Sequence, residues 1–190
     1  MKKILFLFYV LFTIALFSQS KTILSSEIRW KAYKTLKTES FSHFGTVSLK
    51  SGNLIFNGSE LTGGSFLMDM GSIDAEDMNG SPKQKKMLEN HLKSDDFFDV
   101  SKFPTASFQI KSVKKVKHTI YNYQITGVLT IKGISKSISF PVKISQNNSV
   151  YSLASAQFSF NRKNYGLKYN IFEDMLISND VQMNVKISAK

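Results

Sequence analysis

From Ile28 onward, apolar and polar side chains alternate at every second position in one stretch after another. That period of two restricts the chain to strands with one face turned inward. Ile28, Trp30 and Ala32 alternate with Arg29, Lys31 and Tyr33, and Phe41, His43, Gly45, Val47 and Leu49 share a face opposite Phe44. Leu54 and Phe56 follow the Ser51-Gly52-Asn53 break, and Phe66, Met68 and Met70 oppose Asp69 after the Asn57-Gly58 turn signal. Further strands are predicted through Ala106, Phe108 and Ile110; through Tyr121, Tyr123, Ile125, Gly127, Leu129 and Ile131; and through Ile138, Phe140, Val142 and Ile144. Ala154, Ala156, Phe158 and Phe160 are expected to share one face, and Val181, Met183, Val185 and Ile187 another. Lys132-Gly133 and Asn147-Asn148 mark turns between strands.

The period changes once. After Pro82, residues Met87, Leu88, His91 and Leu92 fall at helical spacing, and Ser81-Pro82 is a suitable start for a helix of about three turns. Eight or nine short strands with one helical insert and no internal repeat describe a single all-β domain, either a sandwich or an up-and-down barrel. The 16 phenylalanines and 7 tyrosines suit strands and the inside of a barrel or cavity.

Met1-Lys2-Lys3 is a short basic start to an apolar run from Ile4 to Phe17 that only Thr13 interrupts, and Ser18-Gln19-Ser20 supplies small residues after it. This is the pattern of a secretory signal, with cleavage expected after Ser20 and a mature domain over residues 21–190. A membrane span needs roughly 20 apolar residues, and this run is shorter. The chain is therefore expected in the periplasm of a Gram-negative host and secreted otherwise. With no cysteine there is no disulfide framework, thiolate metal site, cysteine nucleophile or lipid-modified cysteine, so the core alone must stabilise the fold.

The net charge is +11, and it is unevenly spread. Residues 69–99 carry 8 of the 14 acids against 4 lysines, whereas residues 100–190 carry 13 Lys or Arg against 3 acids. A basic face drawn to an anionic membrane is one reading, and the ordinary solvated face of strands is the other. Export and the lack of a recognition motif argue against nucleic acid.

Asp69, Asp74, Glu76 and Asp77 could serve acid–base chemistry, but no base, nucleophile or oxyanion motif accompanies them, and acids are common in loops as turn formers and caps. The histidines, His43, His91 and His118, lie far apart and form no ligand pair, so no metal or cofactor is expected. Arg162 follows the Phe158 and Phe160 pair near a strand end, where a guanidinium can meet a headgroup phosphate or instead satisfy backbone carbonyls or an acid such as Asp69. Phe97-Phe98, after the helix, is expected to be buried at a barrel mouth, as a plug or as lining. The final strand, Ile177 to Ala189, offers an edge through which two chains could pair as a homodimer. Alternation specifies an inside without saying whether it is filled or hollow.

Five blocks, in order, resemble the YceI-like family. Gly63 to Ile73 resembles its GG-x-F-x-x-D-M-x-S-I strand, and Asn90 to Val100 its HLKS-x-DFFD helix end. Lys102 to Phe108 is similar to its (Y/F)PTA-x-F strand start, and Tyr123 to Gly133 to its Y-x-(V/I)-x-G-x-L-T-(I/L)-(K/R)-G strand. Phe160 to Gly166 resembles a fifth element, with Asn164 where Asp is commoner. The resemblance implies an extended lipocalin-like antiparallel barrel of about eight strands, usually exported, that binds polyisoprenoids or other long-chain amphiphiles in its lumen as a carrier or reservoir without turnover. It favours the hollow reading, and the flat or flexible inward residues Phe66, Met68, Met70, Phe108, Ile110, Tyr123, Ile125, Phe140, Phe158 and Phe160 are then the candidate ligand contacts, with Arg162 near the rim. A small envelope enzyme using the acidic loop, or a filled barrel serving as an interaction module, are the alternatives.

Overall fold

The computed structural model describes residues 18–34, 42–168 and 177–190; the apolar run from Ile4 to Phe17 and the strand position of Phe41 lie outside them. Nine strands alternate along the chain: β1 (Ser18–Lys34), β2 (Ser42–Asn57), β3 (Glu60–Asp74), β4 (Thr105–Lys115), β5 (Tyr123–Ile131), β6 (Ile134–Asn147), β7 (Val150–Ser155), β8 (Phe158–Asn161) and β9 (Ile177–Ala189). One helix, α1 (Pro82–Lys93), interrupts them between β3 and β4. Every pairing is antiparallel, and each strand lies beside its sequence neighbour from β1 to β7.

Closure comes from β9, which pairs with β1 on one side and with β7 and then β8 on the other. The result is an eight-staved closed barrel in which β7 and β8 share one stave. Because both of its edges are bonded, β9 offers no free edge, and the expected route to a homodimer through it is removed. Ser18 to Ser20, placed before the expected cleavage point, pair here with Asn57 to Ile55.

Local chemistry sets the turns. Ile131 faces Ile134 across Lys132-Gly133, and both central residues have positive φ (49° and 74°), as a two-residue hairpin with right-handed strand twist requires. The regular β5 strand buries Tyr123, Ile125, Gly127, Leu129 and Ile131 and leaves the residues between them partly exposed. One expected face is corrected. Ala154 pairs with Lys186 and Phe158 with Met183, so four steps on the β7–β8 stave oppose three on β9. This bulge flips the parity, and the inward residues are Tyr151, Leu153 and Ser155 before it and Phe158 and Phe160 after it, without Ala154 or Ala156.

The two ends of the barrel differ. Leu54, Phe56, Leu61, Tyr123, Val142 and Tyr151 are all buried, and the registers place them at the end that holds the β2–β3, β4–β5 and β6–β7 turns. The rings of Phe56 and Tyr151 lie 4.1 Å apart there, which plugs that end. At the other end sit α1, the loop after it, and the short 3₁₀ turns Glu76–Met78 and Arg162–Tyr165. Helix α1 lies on the mouth without burying any residue fully; Leu92 turns inward, while Met87, expected on the same face, is 65% exposed.

Candidate functional site

Between the plug and α1 the barrel encloses a cavity of about 180 Å³. Strand alternation builds its wall: Phe66, Met68 and Met70 from β3, Phe108 and Ile110 from β4, Ile125 from β5, Phe140 from β6, and Phe158 and Phe160 from β8. With Arg162, these are ten of the eleven residues singled out in the sequence. Tyr123, the eleventh, does not line it. It pairs with Lys115 and Val142 at the start of β5 and belongs to the plugged end.

The wall also contains residues that were read as strand interior without being assigned to a site: Trp30 on β1, Leu129 on β5, and Val181, Met183 and Val185 on β9. Alternation was the available signal for all of them. Phe97 and Phe98 line the cavity from the mouth, edge to face with ring centroids 4.9 Å apart. Lys132 fixes their loop by donating from Nζ to the carbonyls of Asp95 (3.1 Å) and Phe97 (2.9 Å).

Four rings form a ladder along one side. Phe66 and Phe108 are 6.4 Å apart, Phe108 and Phe140 5.5 Å, and Phe140 and Phe158 are stacked at 4.0 Å and 7°. The Phe108–Phe140 contact spans the intervening strand β5, because the inward position between them is Gly127. The Phe140–Phe158 stack forms beyond the end of β6–β7 pairing, where the bulge lets Ala156 donate its N–H to the Pro141 carbonyl (2.8 Å).

No polar atom of the described residues exposes surface to this cavity. Arg162 is consistent with that, since its guanidinium is 1% exposed and turned to the backbone. Nε donates to the Ser178 carbonyl (3.1 Å), Nη1 to Leu167 (2.9 Å) and Nη2 to Ile177 (3.3 Å). The planar fork thus ties the turn after β8 to the start of β9. Asp69, the acid considered as its partner, accepts the Gly71 N–H instead (2.9 Å). Beside Arg162, the Tyr165 hydroxyl is buried and meets no hydrogen-bond partner among the described residues, and burial pushes its pKa up to about 12.

The acidic loop has structural partners. Asp74 pairs with Lys85 (2.5 Å), Glu76 with Arg29 (3.2 Å) and Asp77 with His43 (2.7 Å), while Asp77 also accepts the Phe44 N–H (2.9 Å). Gly45 permits this loop to cross the mouth, since a Cβ there would stand 1.8 Å from the Asp74 carbonyl oxygen. Among the described residues, no three His, Asp or Glu side chains gather where they could hold a metal ion.

The architecture has solved counterparts. BcnA of Burkholderia cenocepacia superposes with a TM-score of 0.64 at 19% identity, over 87% of this chain and 96% of that one. A polyisoprenoid binding domain from Saccharophagus degradans, implicated in plant cell wall breakdown, does so with a TM-score of 0.60 at 9% identity, over 90% and 97%. The Campylobacter jejuni YCEI protein reaches 0.56 at 16% identity, over 100% and 93%. At these identities the likeness is one of fold. In sequence, the UPF0312 protein of Staphylococcus aureus is 36% identical over 88 residues, which is 43% of this chain and 47% of the relative. The match thus spans about half the length of that curated relative. The model of the YceI-like domain matches residues 23–189, from within β1 to the end of β9, and the chain belongs to the YceI-like family.

Proposed function

We propose that this chain is an exported binding protein that holds the apolar tail of a long-chain isoprenoid or similar amphiphilic lipid inside the barrel, as carrier or reservoir. The observation that carries this reading is a cavity at mid-barrel to which no polar atom of the described residues is exposed. Such a space offers an ion or a polar metabolite nothing, and it offers a hydrocarbon chain a complete wall. At about 30 Å³ per methylene-sized group, it admits about six such groups before any side chain moves, and a longer chain needs the wall to give. Each buried methylene contributes about 0.8 kcal/mol, so six of them supply about 5 kcal/mol against the cost of association.

Methionine and phenylalanine walls adapt to a branched chain, and Met68, Met70 and Met183 lie on two staves of the wall. The likeness to the Saccharophagus polyisoprenoid binding domain supports the same class of ligand. Lys85, Arg29 and His43, which engage Asp74, Glu76 and Asp77, favour binding over turnover, because each acid already has a structural partner. The basic start and the apolar run to Phe17 support export.

Trp30, the single tryptophan, lines the cavity and provides the test. Titration with a long-chain isoprenoid quinone, a collisional quencher, is expected to extinguish Trp30 emission saturably at one equivalent. Emission that stays unchanged, or that falls without saturating, would overturn the reading.

A further inference from the structure

The fourteen acids are absent from one continuous stretch: residues 100–172 contain none, against eleven Lys and Arg. Among the described residues that stretch is β4 through β8, one whole side of the barrel wall, while the acids lie in β1, β3, α1 and its flanking loops, and β9. Along this wall the cations are not uniform. The middle carries the uncharged pair Thr126 with Ser139, and charge gathers toward the ends.

The plugged end is the more distinctive. On the β4–β5 hairpin Lys114, Lys115 and Lys117 are all exposed, and Lys143 of β6 follows Val142, the partner of Tyr123. Glu60, at the start of β3, pairs with Lys115. Lys114, Lys117 and Lys143 meet no carboxylate among the described residues. At the tip, Ile120 is 58% exposed.

That exposure is built in by the turn. The Nδ1 atom of His118 accepts the backbone N–H of both Ile120 (3.1 Å) and Tyr121 (3.3 Å). The Asn122 side chain donates to the Ile144 carbonyl and accepts the Ile144 N–H, both at 2.8 Å, which locks the hairpin to β6. The loop is therefore held in a shape that presents an aliphatic side chain to the outside, with Lys117 in the same loop and Lys114 and Lys115 at its base.

We propose that the tip of the β4–β5 hairpin, Lys114 to Tyr121, is a docking surface for an anionic lipid bilayer, with the lysines on the headgroups and Ile120 inserted between them. Lysines alone would suit any polyanion. An exposed isoleucine at the tip beyond them is favoured by a partner with an apolar interior behind its charged face. Nucleic acid would call for an exposed aromatic platform, and the one ring at the tip, Tyr121, is half-buried with its centroid 5.4 Å from that of His118. The surface lies at the end opposite the mouth, so its test reads nothing of the cavity and stands or falls apart from the lipid-holding reading.

The test is sedimentation of the full chain with phosphatidylglycerol-containing vesicles and with pure phosphatidylcholine vesicles, read as the ratio of the two partition coefficients. A ratio well above one is expected at 0.15 M salt. It should collapse at 1 M salt, where the screening length falls from about 8 Å to about 3 Å. Lys114→Gln with Lys117→Gln is expected to lower the ratio about 25-fold, at about fivefold per lysine. Ile120→Ser should lower partition into the anionic vesicles roughly tenfold or more with every charge retained. Lys83→Gln with Lys86→Gln on α1, an equal change in net charge, should leave the ratio in place, and all variants should keep the parent melting temperature. An equal drop in the α1 variant, or an Ile120→Ser variant that partitions as the parent does while heparin competes for both, would overturn the proposal in favour of non-specific attraction to polyanions.

Discussion

The ring of Phe108 lies directly over Gly127, so that a Cβ at position 127 would sit 2.4 Å from Phe108 Cζ and 2.6 Å from the Gln109 carbonyl oxygen. One missing side chain thereby gives the aromatic ladder its path across β5 and sets how far Phe108 reaches toward the cavity wall. Gly127→Ala is expected to lower stability by about 1–3 kcal/mol, as overpacking does, and to narrow the cavity by displacing that ring. Urea unfolding would report the first effect and a weaker Trp30 quench by isoprenoid quinone the second.

Arg162 and the carbonyls of Leu167, Ile177 and Ser178 form a clasp that holds the two segments after β8 together. Arg162→Ala leaves those carbonyls without their charged donor and should cost about 3 kcal/mol or more. Arg162→Lys should recover little of it, because an ammonium cannot present the planar fork. Thermal melting decides between this clasp and a headgroup role. Loss of ligand load with an unchanged melting temperature would mean that Arg162 serves the ligand.

Burial without a hydrogen-bond partner is costly for a hydroxyl, and Tyr165 bears that cost beside Phe160, whose ring meets it edge-on at 5.4 Å. Tyr165→Phe keeps the ring contact and should raise stability by about 1 kcal/mol. The pH dependence follows from the raised pKa. Between its ordinary value of 10.0 and about 12, the unfolded chain releases a proton that the folded chain retains, so wild-type stability declines as pH rises through that window. The phenylalanine variant should lack this part of the decline in alkaline melts.

Asp99 behaves in the opposite sense. It is 5% exposed with a φ of 49°, and the Lys102 ammonium, 3.1 Å away, and the Ser101 hydroxyl hold its carboxyl below the usual aspartate range. The stability this supplies is present above the ordinary aspartate pKa and is lost as pH falls through the lowered value. Lys102→Gln should therefore melt lower than the parent at neutral pH and converge with it in acid. The gap should shrink with added salt, since Lys102 is 72% exposed.

Much of this molecule is legible in its sequence, and what is not has specific physical causes. Period-two alternation identified the inward faces of β3, β4, β5, β6 and β9, because a closed barrel leaves each strand one dry side. It failed at Ala154 and Ala156, where the bulge against β9 changes parity; that mismatch is a property of two strands together and leaves no mark on one. Tyr123 was placed in the site because alternation reports which side a residue faces, without reporting its height along the barrel. Met87 shows the same limit on a helix, where spacing groups residues without revealing that α1 rests on the mouth by Leu92. The final strand read as an open edge because closure is settled by β1, more than 140 residues away in sequence.

The central claim is that the cavity bounded by Phe66, Phe108, Phe140 and Phe158 holds the chain of a lipid. Its most direct test is to purify the protein from its native cell envelope, extract it with organic solvent and identify the bound molecules by mass spectrometry. One long-chain isoprenoid, quinone or comparable amphiphile per protein chain is expected, with a lower load in the Gly127→Ala variant. A protein that emerges empty, and that takes up no polyprenyl lipid supplied to it, would contradict the account and assign this barrel's function to its surface.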